Sequence, residues 1–223
     1  IEACLVGSEM CIRDRQVNTS LSKIFEKHKY KEKILYLAKK DKDLINLFKS
    51  YTNFGEYSRN KGFKGLLQLI IEQQLSVASA KAIYKKMKLK LKNISPEALL
   101  NTSDLDLKEC GLSKQKISYL KGLALNCVNK EINFKELHKL DDELLIEEIT
   151  KIKGIGPWTA QCYMLASLKR QDVWPVADLG LMEAVKRIKN LEKRPSEEEM
   201  EKISQIWRPY RSIVANVLWA SYD

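Results

Sequence analysis

Ile149-Thr150-Lys151-Ile152-Lys153-Gly154-Ile155-Gly156-Pro157-Trp158-Thr159-Ala160 is the stretch that decides the fold. Before and into it, Leu144, Leu145, Ile149 and Ile152 recur at helical spacing. The pattern ends at Lys153, where Gly154 and Gly156 permit a tight turn with close backbone approach, and Pro157 suits the first position of a second helix. The spacing predicts a helical hairpin over residues 142–168. One reading of the turn is architectural, a glycine link between antiparallel helices. The other is chemical: backbone N–H groups at a helix N-terminus, with the positive end of the helix dipole, form a site for an anion such as a phosphate.

Working outward, apolar residues keep helical spacing and no alternating strand pattern or Asn-Gly or Asp-Gly hairpin signal stands out. Leu66, Leu67, Ile70 and Ile71 form one stripe, and Ala78, Ala82 and Ile83 another. Further helices are expected at Ser20–Lys39, Pro96–Leu100, Lys114–Val128, Trp158–Leu168, Leu179–Ile188, Ser196–Ile206 and Ser212–Tyr222. Start signals agree: Ser95 precedes Pro96, Ser113 opens a Lys-rich segment, and Ser196 has Glu199 three residues on. The fold class is all-α, read as one folded region over 16–223 whose chain path passes between two helical lobes.

Composition narrows the function classes. A chain of 223 residues with 44% hydrophobic and 30% charged residues can bury a core, and no apolar run approaches membrane-spanning length. A net charge of +10 suits an anionic partner, although the excess is mostly scattered Lys. Leu5 to Asp14 resembles one reading frame of a transposase sequencing adapter, so residues 1–15 are set aside as a non-native segment. That leaves Cys110, Cys127 and Cys162, with no metal-binding spacing; they read as small buried hydrophobes of a reducing, cytoplasmic compartment.

Three other features carry alternatives. Asp178 precedes the apolar-periodic Leu179 segment: it reads as an N-cap, or as a carboxylate that stabilises a sugar oxocarbenium ion and orients water. Glu72-Gln73-Gln74-Leu75-Ser76 breaks an apolar helix, giving either a solvated corner or a wedge that enters a duplex when a base is extruded. Trp158, Tyr163, Trp174, Trp207, Tyr210 and Trp219 cluster in the C-terminal third, as core or as a stacking pocket that favours a cationic base.

Taken in order, Ile70 to Ser76, Lys153 to Ala160, Asp172 to Leu181, and Trp207-Arg208-Pro209-Tyr210-Arg211-Ser212 with Leu218-Trp219 resemble the helix-hairpin-helix (HhH-GPD) DNA glycosylases, and within them the DNA-3-methyladenine glycosylase II branch. The resemblance runs over residues 61–222. It implies two helical subdomains with a base-binding cleft between them, and Asp178 as the catalytic carboxylate. It implies a base pocket of Trp158, Trp219 and Tyr163, the last displaced by one residue from the family's aromatic, which falls at Cys162. Gln74 is implied as the side chain inserted into DNA, with Gln73 beside it. Lys153, Gly154, Ile155, Gly156 and Thr159 are implied to grip a phosphate, and the backbone carbonyls of Thr150, Ile152 and Gly154 to hold a structural Na+ or K+.

Departures from related branches sharpen the expectation. Bifunctional relatives carry Lys where this chain has Trp158, which removes the amine needed for a Schiff base. No Cys follows Cys162, so the four-Cys iron–sulfur motif of other branches is missing from this sequence. The implied protein is a monofunctional hydrolase that removes alkylated purines from damaged double-stranded DNA, needs no cofactor and no membrane, and acts as a monomer associated with the bacterial nucleoid. Two rivals stay open: a non-catalytic helix-hairpin-helix DNA-binding module, and a same-fold glycosylase for oxidised or deaminated bases.

Overall fold

Serine and aspartate set most helix starts in this chain, whose structure, a computed structural model, describes residues 19–222. The adapter-like stretch and the rest of residues 1–15 lie outside the described residues. After a helical segment at 19–24 come α1 (Lys31–Lys40), α2 (Asp43–Ser50), α3 (Phe63–Glu72), α4 (Val77–Leu91), α5 (Pro96–Leu100), α6 (Asp104–Glu109) and α7 (Lys114–Val128). They continue as α8 (Phe134–Leu137), α9 (Asp142–Thr150), α10 (Pro157–Ala166), α11 (Leu179–Ile188), α12 (Glu197–Ser204), a 3-10 turn at Gln205–Trp207, and α13 (Arg211–Tyr222). No strand occurs among the described residues, so the all-α expectation holds. Ser76, Ser95, Ser103, Ser113, Asp141, Asp178 and Ser196 each accept a first-turn backbone N–H with their side chains, satisfying donors that a helix start leaves unpaired. At Ser196 the Glu199 carboxylate returns the bond to the Ser196 N–H at 2.7 Å, completing the box expected from the sequence.

Among the described residues the chain divides into two compact units, Tyr57–Arg170 and the flanking segments 19–56 with 171–222. In the first, α3 buries Phe63, Leu66, Leu67, Leu69, Ile70 and Ile71 and packs against α7, α10 and α4. Such burial on nearly every side suits a central helix rather than an amphipathic surface one. In the second, α11 packs on α13, and both touch α2. Its buried Asp41 accepts from the Trp207 Nε1 at 2.7 Å and from Lys189 Nζ at 2.8 Å, which answers the desolvation of that carboxylate. No described helix is long and apolar enough to cross a membrane.

Several expectations are corrected. The single helix expected over Ser20–Lys39 is interrupted between residue 24 and Lys31. There the His28 Nδ1 accepts the Tyr30 N–H at 3.2 Å, and the rings of Phe25, His28, Phe48 and Phe54 pack together. A local side-chain bond and an aromatic cluster replace the backbone ladder. On α4 the buried face is Ala80, Met87 and Leu91, whereas Ala78 and Ala82 are exposed. Leu144, expected on the core stripe, is also exposed. The short helices α6 and α8 and the two-turn α2 carry too few periods to stand out in the sequence.

Burial also sets an acid limit on stability. His28 and His138 both titrate below the ordinary 6.5, chiefly through desolvation, with Lys29 adding to the effect at His28, and Lys61 and Arg170 at His138. The unfolded chain therefore takes up these protons first as pH falls. Their contribution is complete above pH 6.5 and is lost as pH drops through the lower folded values. The melting temperature should fall as pH drops below 6.5, and fall less steeply in His138→Gln; identical slopes would remove His138 from this role.

Candidate functional site

The hairpin forms as its sequence requires. α9 ends at Thr150, the Ile152 N–H bonds the Ile149 carbonyl, and the Ile155 N–H bonds the Ile152 carbonyl at 3.0 Å. Ile152 and Ile155 are buried and pin the turn to the core, while Lys153 and Gly156 are exposed. Gly154 sits at φ +91°, and a Cβ there would lie 2.3 Å from Tyr119 Cγ, so both backbone and packing demand glycine. Gly156 has open space around it and φ −97°. It begins α10 with no side-chain cap and Pro157 at the first helical position. This N-terminus offers the amides and dipole end that an anion site uses.

Gln73 and Thr159 do not take the parts expected of them. The Gln73 Nε2 donates to the Gly154 carbonyl at 2.8 Å and to the Thr159 hydroxyl at 2.9 Å. Gln73 is thus a brace between the corner after α3 and the hairpin rather than an inserted side chain. Thr159 is buried, so its hydroxyl serves that brace and is not presented to a phosphate. Gln74, by contrast, is exposed and holds the left-handed region at φ 56°. Trp158 is half-buried and packs on the core of the Tyr57–Arg170 unit.

Tyr163 is also corrected. Its ring is fully buried, and its hydroxyl accepts the Gly62 N–H at 2.7 Å and lies 2.8 Å from the His138 Nε2. Burial pushes the Tyr163 phenol up to about 12. It is a core post, not a pocket wall. Cys162, in the neighbouring position, is buried as well, and so is Cys110. Burial, aided by Glu97, pushes the Cys127 thiol up to about 11, which makes it a poor nucleophile at neutral pH.

Asp178 belongs to the other unit and takes the N-cap reading that its sequence left open. It is the N-cap of α11, its Oδ1 accepting the Leu181 N–H at 2.8 Å. The same oxygen accepts from the Trp219 Nε1 at 3.1 Å. Two donors on one oxygen fix the rotation of the carboxylate, and the indole of Trp219, from α13, is fixed in return. A Cβ at Gly180 would lie 3.2 Å from Asp178 Oδ1, 3.6 Å from Tyr222 and 3.8 Å from Trp219. A small residue there lets one carboxylate and two aromatic rings converge. Tyr222, half exposed with the Arg187 guanidinium over its ring, was not singled out in the sequence. Its position three residues after Trp219 on one helix face was the available signal.

The chain is similar to several known proteins. The DNA-3-methyladenine glycosylase 1 of Schizosaccharomyces pombe is 32% identical over 182 residues, covering 80% of each chain. The alkylbase DNA glycosidase-like protein mag2 of the same organism is 33% identical over 70% of this chain and 76% of its own length. Among solved structures, the S. pombe 3-methyladenine DNA glycosylase Mag1 in complex with abasic DNA superposes with a TM-score of 0.80 at 30% identity, over 85% of this chain and 96% of that one. The DNA-3-methyladenine glycosidase of Bacillus halodurans does so at 0.70 and 29%, over 85% and 88%. The family model for HhH-GPD base excision DNA repair proteins matches residues 67–209. Hairpin, fold and relatives agree, and the chain belongs to the HhH-GPD superfamily of base excision DNA repair proteins.

Proposed function

We propose that this protein is a monofunctional DNA glycosylase that hydrolyses the N-glycosidic bond of alkylated purines, of the 3-methyladenine and 7-methylguanine type, in duplex DNA. The observation that carries the reading is Asp178, a carboxylate oriented by both a helix N-terminus and the Trp219 indole in a chain of this family. Alkylation at N3 or N7 places positive charge on the purine, so the leaving group is already activated and no strong general acid is required. Asp178 stabilises the oxocarbenium ion that develops on the sugar and helps to position water. Trp219, beside Asp178, stacks on the extruded cationic base. The relatives named as 3-methyladenine glycosylases, and the one solved with abasic DNA, support the substrate class and the DNA partner.

Trp158 stands where a Schiff-base lysine would be needed, which supports hydrolysis without strand cleavage. For a structural Na+ or K+, the chemistry of the donors fits: Thr150, Ile152 and Gly154 offer neutral backbone oxygens. The Ile152 and Gly154 carbonyls each accept one hydrogen bond already, and a carbonyl has a second lone pair. Such an ion would supply positive charge next to the phosphate-binding turn.

The test is release of free base from methylated duplex DNA by the monomeric protein, with strand integrity followed in parallel. Base release without nicking supports the proposal; nicking at the released site refutes the monofunctional reading, and DNA binding without release points to a binding module. Gln74→Ala should lower excision from fully paired duplex by about tenfold, since extrusion then leaves an unfilled gap. Unchanged single-turnover kinetics would remove Gln74 from the wedge role.

A further inference from the structure

The corner that turns α3 into α4 is held from three directions. The Glu72 carboxylate accepts from Arg59 Nε at 2.9 Å and from a terminal Arg59 nitrogen at 2.7 Å, and also from the Tyr57 hydroxyl. The Gln73 side chain reaches the hairpin at Gly154 and Thr159. From α7, Lys116 donates its Nζ to the Ile71 carbonyl at 2.5 Å and to the Gln73 carbonyl at 2.7 Å. In the midst of these braces Gln74 is exposed, with its backbone in the left-handed region.

Lys116 is the unexpected member. Its ammonium is half-buried, faces backbone oxygens, and has no carboxylate partner among the described residues. Desolvation lowers its pKa from the ordinary lysine value. A helix end leaves its last carbonyls without intrahelical donors and at the negative end of the dipole, so a cation there answers both deficits. The Gln73 carbonyl, moreover, belongs to the peptide joining Gln73 to Gln74. Fixing its direction fixes the plane from which the Gln74 backbone departs. A non-glycine residue at positive φ persists only where its surroundings over-determine it.

We infer that Lys116 is a positioning residue for base extrusion: by holding the Ile71 and Gln73 carbonyls it sets the peptide plane that aims Gln74 into the duplex. The inference rests on the glycosylase reading and adds to it a residue outside the hairpin and the carboxylate site. Lys116 touches neither base nor sugar in this account; it acts through Gln74.

Single-turnover excision by the wild type and Lys116→Met is compared on two substrates, 7-methylguanine paired with cytosine and the same lesion opposite an abasic site. Extrusion from the second costs little. Lys116→Met should lose about tenfold on the paired lesion, the cost of a charged hydrogen bond, and recover to within about twofold on the unpaired one. The fluorescence rise of a 2-aminopurine beside the lesion, which reports extrusion, should shrink in the same proportion. In a Gln74→Ala background the Lys116→Met change should cost nothing further, because its effect runs through a side chain already removed. Lys116→Gln, which keeps one amide donor, replaces Lys116→Met if the latter lowers folding stability. Equal losses on both substrates, or losses that add in the Gln74→Ala background, would overturn the inference. Absence of base release by the wild type overturns the glycosylase reading itself, which separates that failure from one confined to Lys116.

Discussion

Asp178→Asn should reduce base excision by about 100- to 1000-fold or more, the usual cost of removing a preorganised charge from a developing ionic transition state. Asn is nearly isosteric, and its amide oxygen can accept from the Leu181 N–H and the Trp219 Nε1 as the Asp178 Oδ1 does. Those two donors select the orientation of the side chain: oxygen toward them, nitrogen where the second carboxylate oxygen stood. The cap on α11 survives, so the melting temperature and the affinity for DNA should change little. The pair of outcomes is what makes the variant informative. Excision lost with binding and stability intact identifies a catalytic carboxylate; retained excision returns Asp178 to the role of an N-cap alone. Activity lost together with folding would instead show that Asn cannot replace the cap, and Asp178→Ser, a capping residue without charge, would then separate the two roles.

Gly154→Ala should cost the most stability of any single methyl added to the hairpin. The new Cβ meets Tyr119 Cγ at 2.3 Å, Cδ2 at 2.4 Å and Cβ at 2.8 Å, so it strikes the base of the ring rather than a flexible tip. The residue also occupies φ +91°, where a side chain is strained by roughly 1–3 kcal/mol. Strain and clash together should lower the melting temperature by about 5 °C or more, since 1 kcal/mol shifts a protein of this size by about 2–4 °C. Duplex affinity should drop as well, because the turn that presents the backbone amides is displaced. Gly156→Ala is the matched control: open space and negative φ make its methyl nearly neutral for stability. Tyr119→Ala should recover part of the Gly154→Ala loss by removing the clash while leaving the backbone strain. Calorimetry and DNA titration on the four proteins test this; equal destabilisation by both glycine replacements would refute it.

The accuracy of the sequence reading followed the range of the interaction being read. Pro96–Leu100, Lys114–Val128 and Leu179–Ile188 were legible to the residue because a Ser or Asp cap and an apolar period lie within one short window. The capping box at Ser196 was legible for the same reason. The helix expected over Ser20–Lys39 failed where rings from elsewhere in the chain, Phe48 and Phe54, gather around Phe25 and His28. Gln73 and Gln74 are adjacent and chemically identical, and nothing local distinguishes them; one braces Gly154, 81 residues away, and the other faces solvent.

By itself, then, the sequence determined the all-α class, the position and glycine chemistry of the hairpin, the N-cap role of Asp178 and the resemblance to the family. The hairpin and the cap depend on backbone rules that operate within about one helical turn, and the class and the resemblance on patterns read along the chain order alone. Tertiary structure alone decided that Tyr163 is a buried post, that Thr159 serves a brace, that Trp219 orients the carboxylate, and that Lys116 reaches the corner before α4. The physical reason is that a polar side chain must satisfy its donors and acceptors with whatever partner folding brings within about 3 Å, and sequence spacing does not disclose that partner.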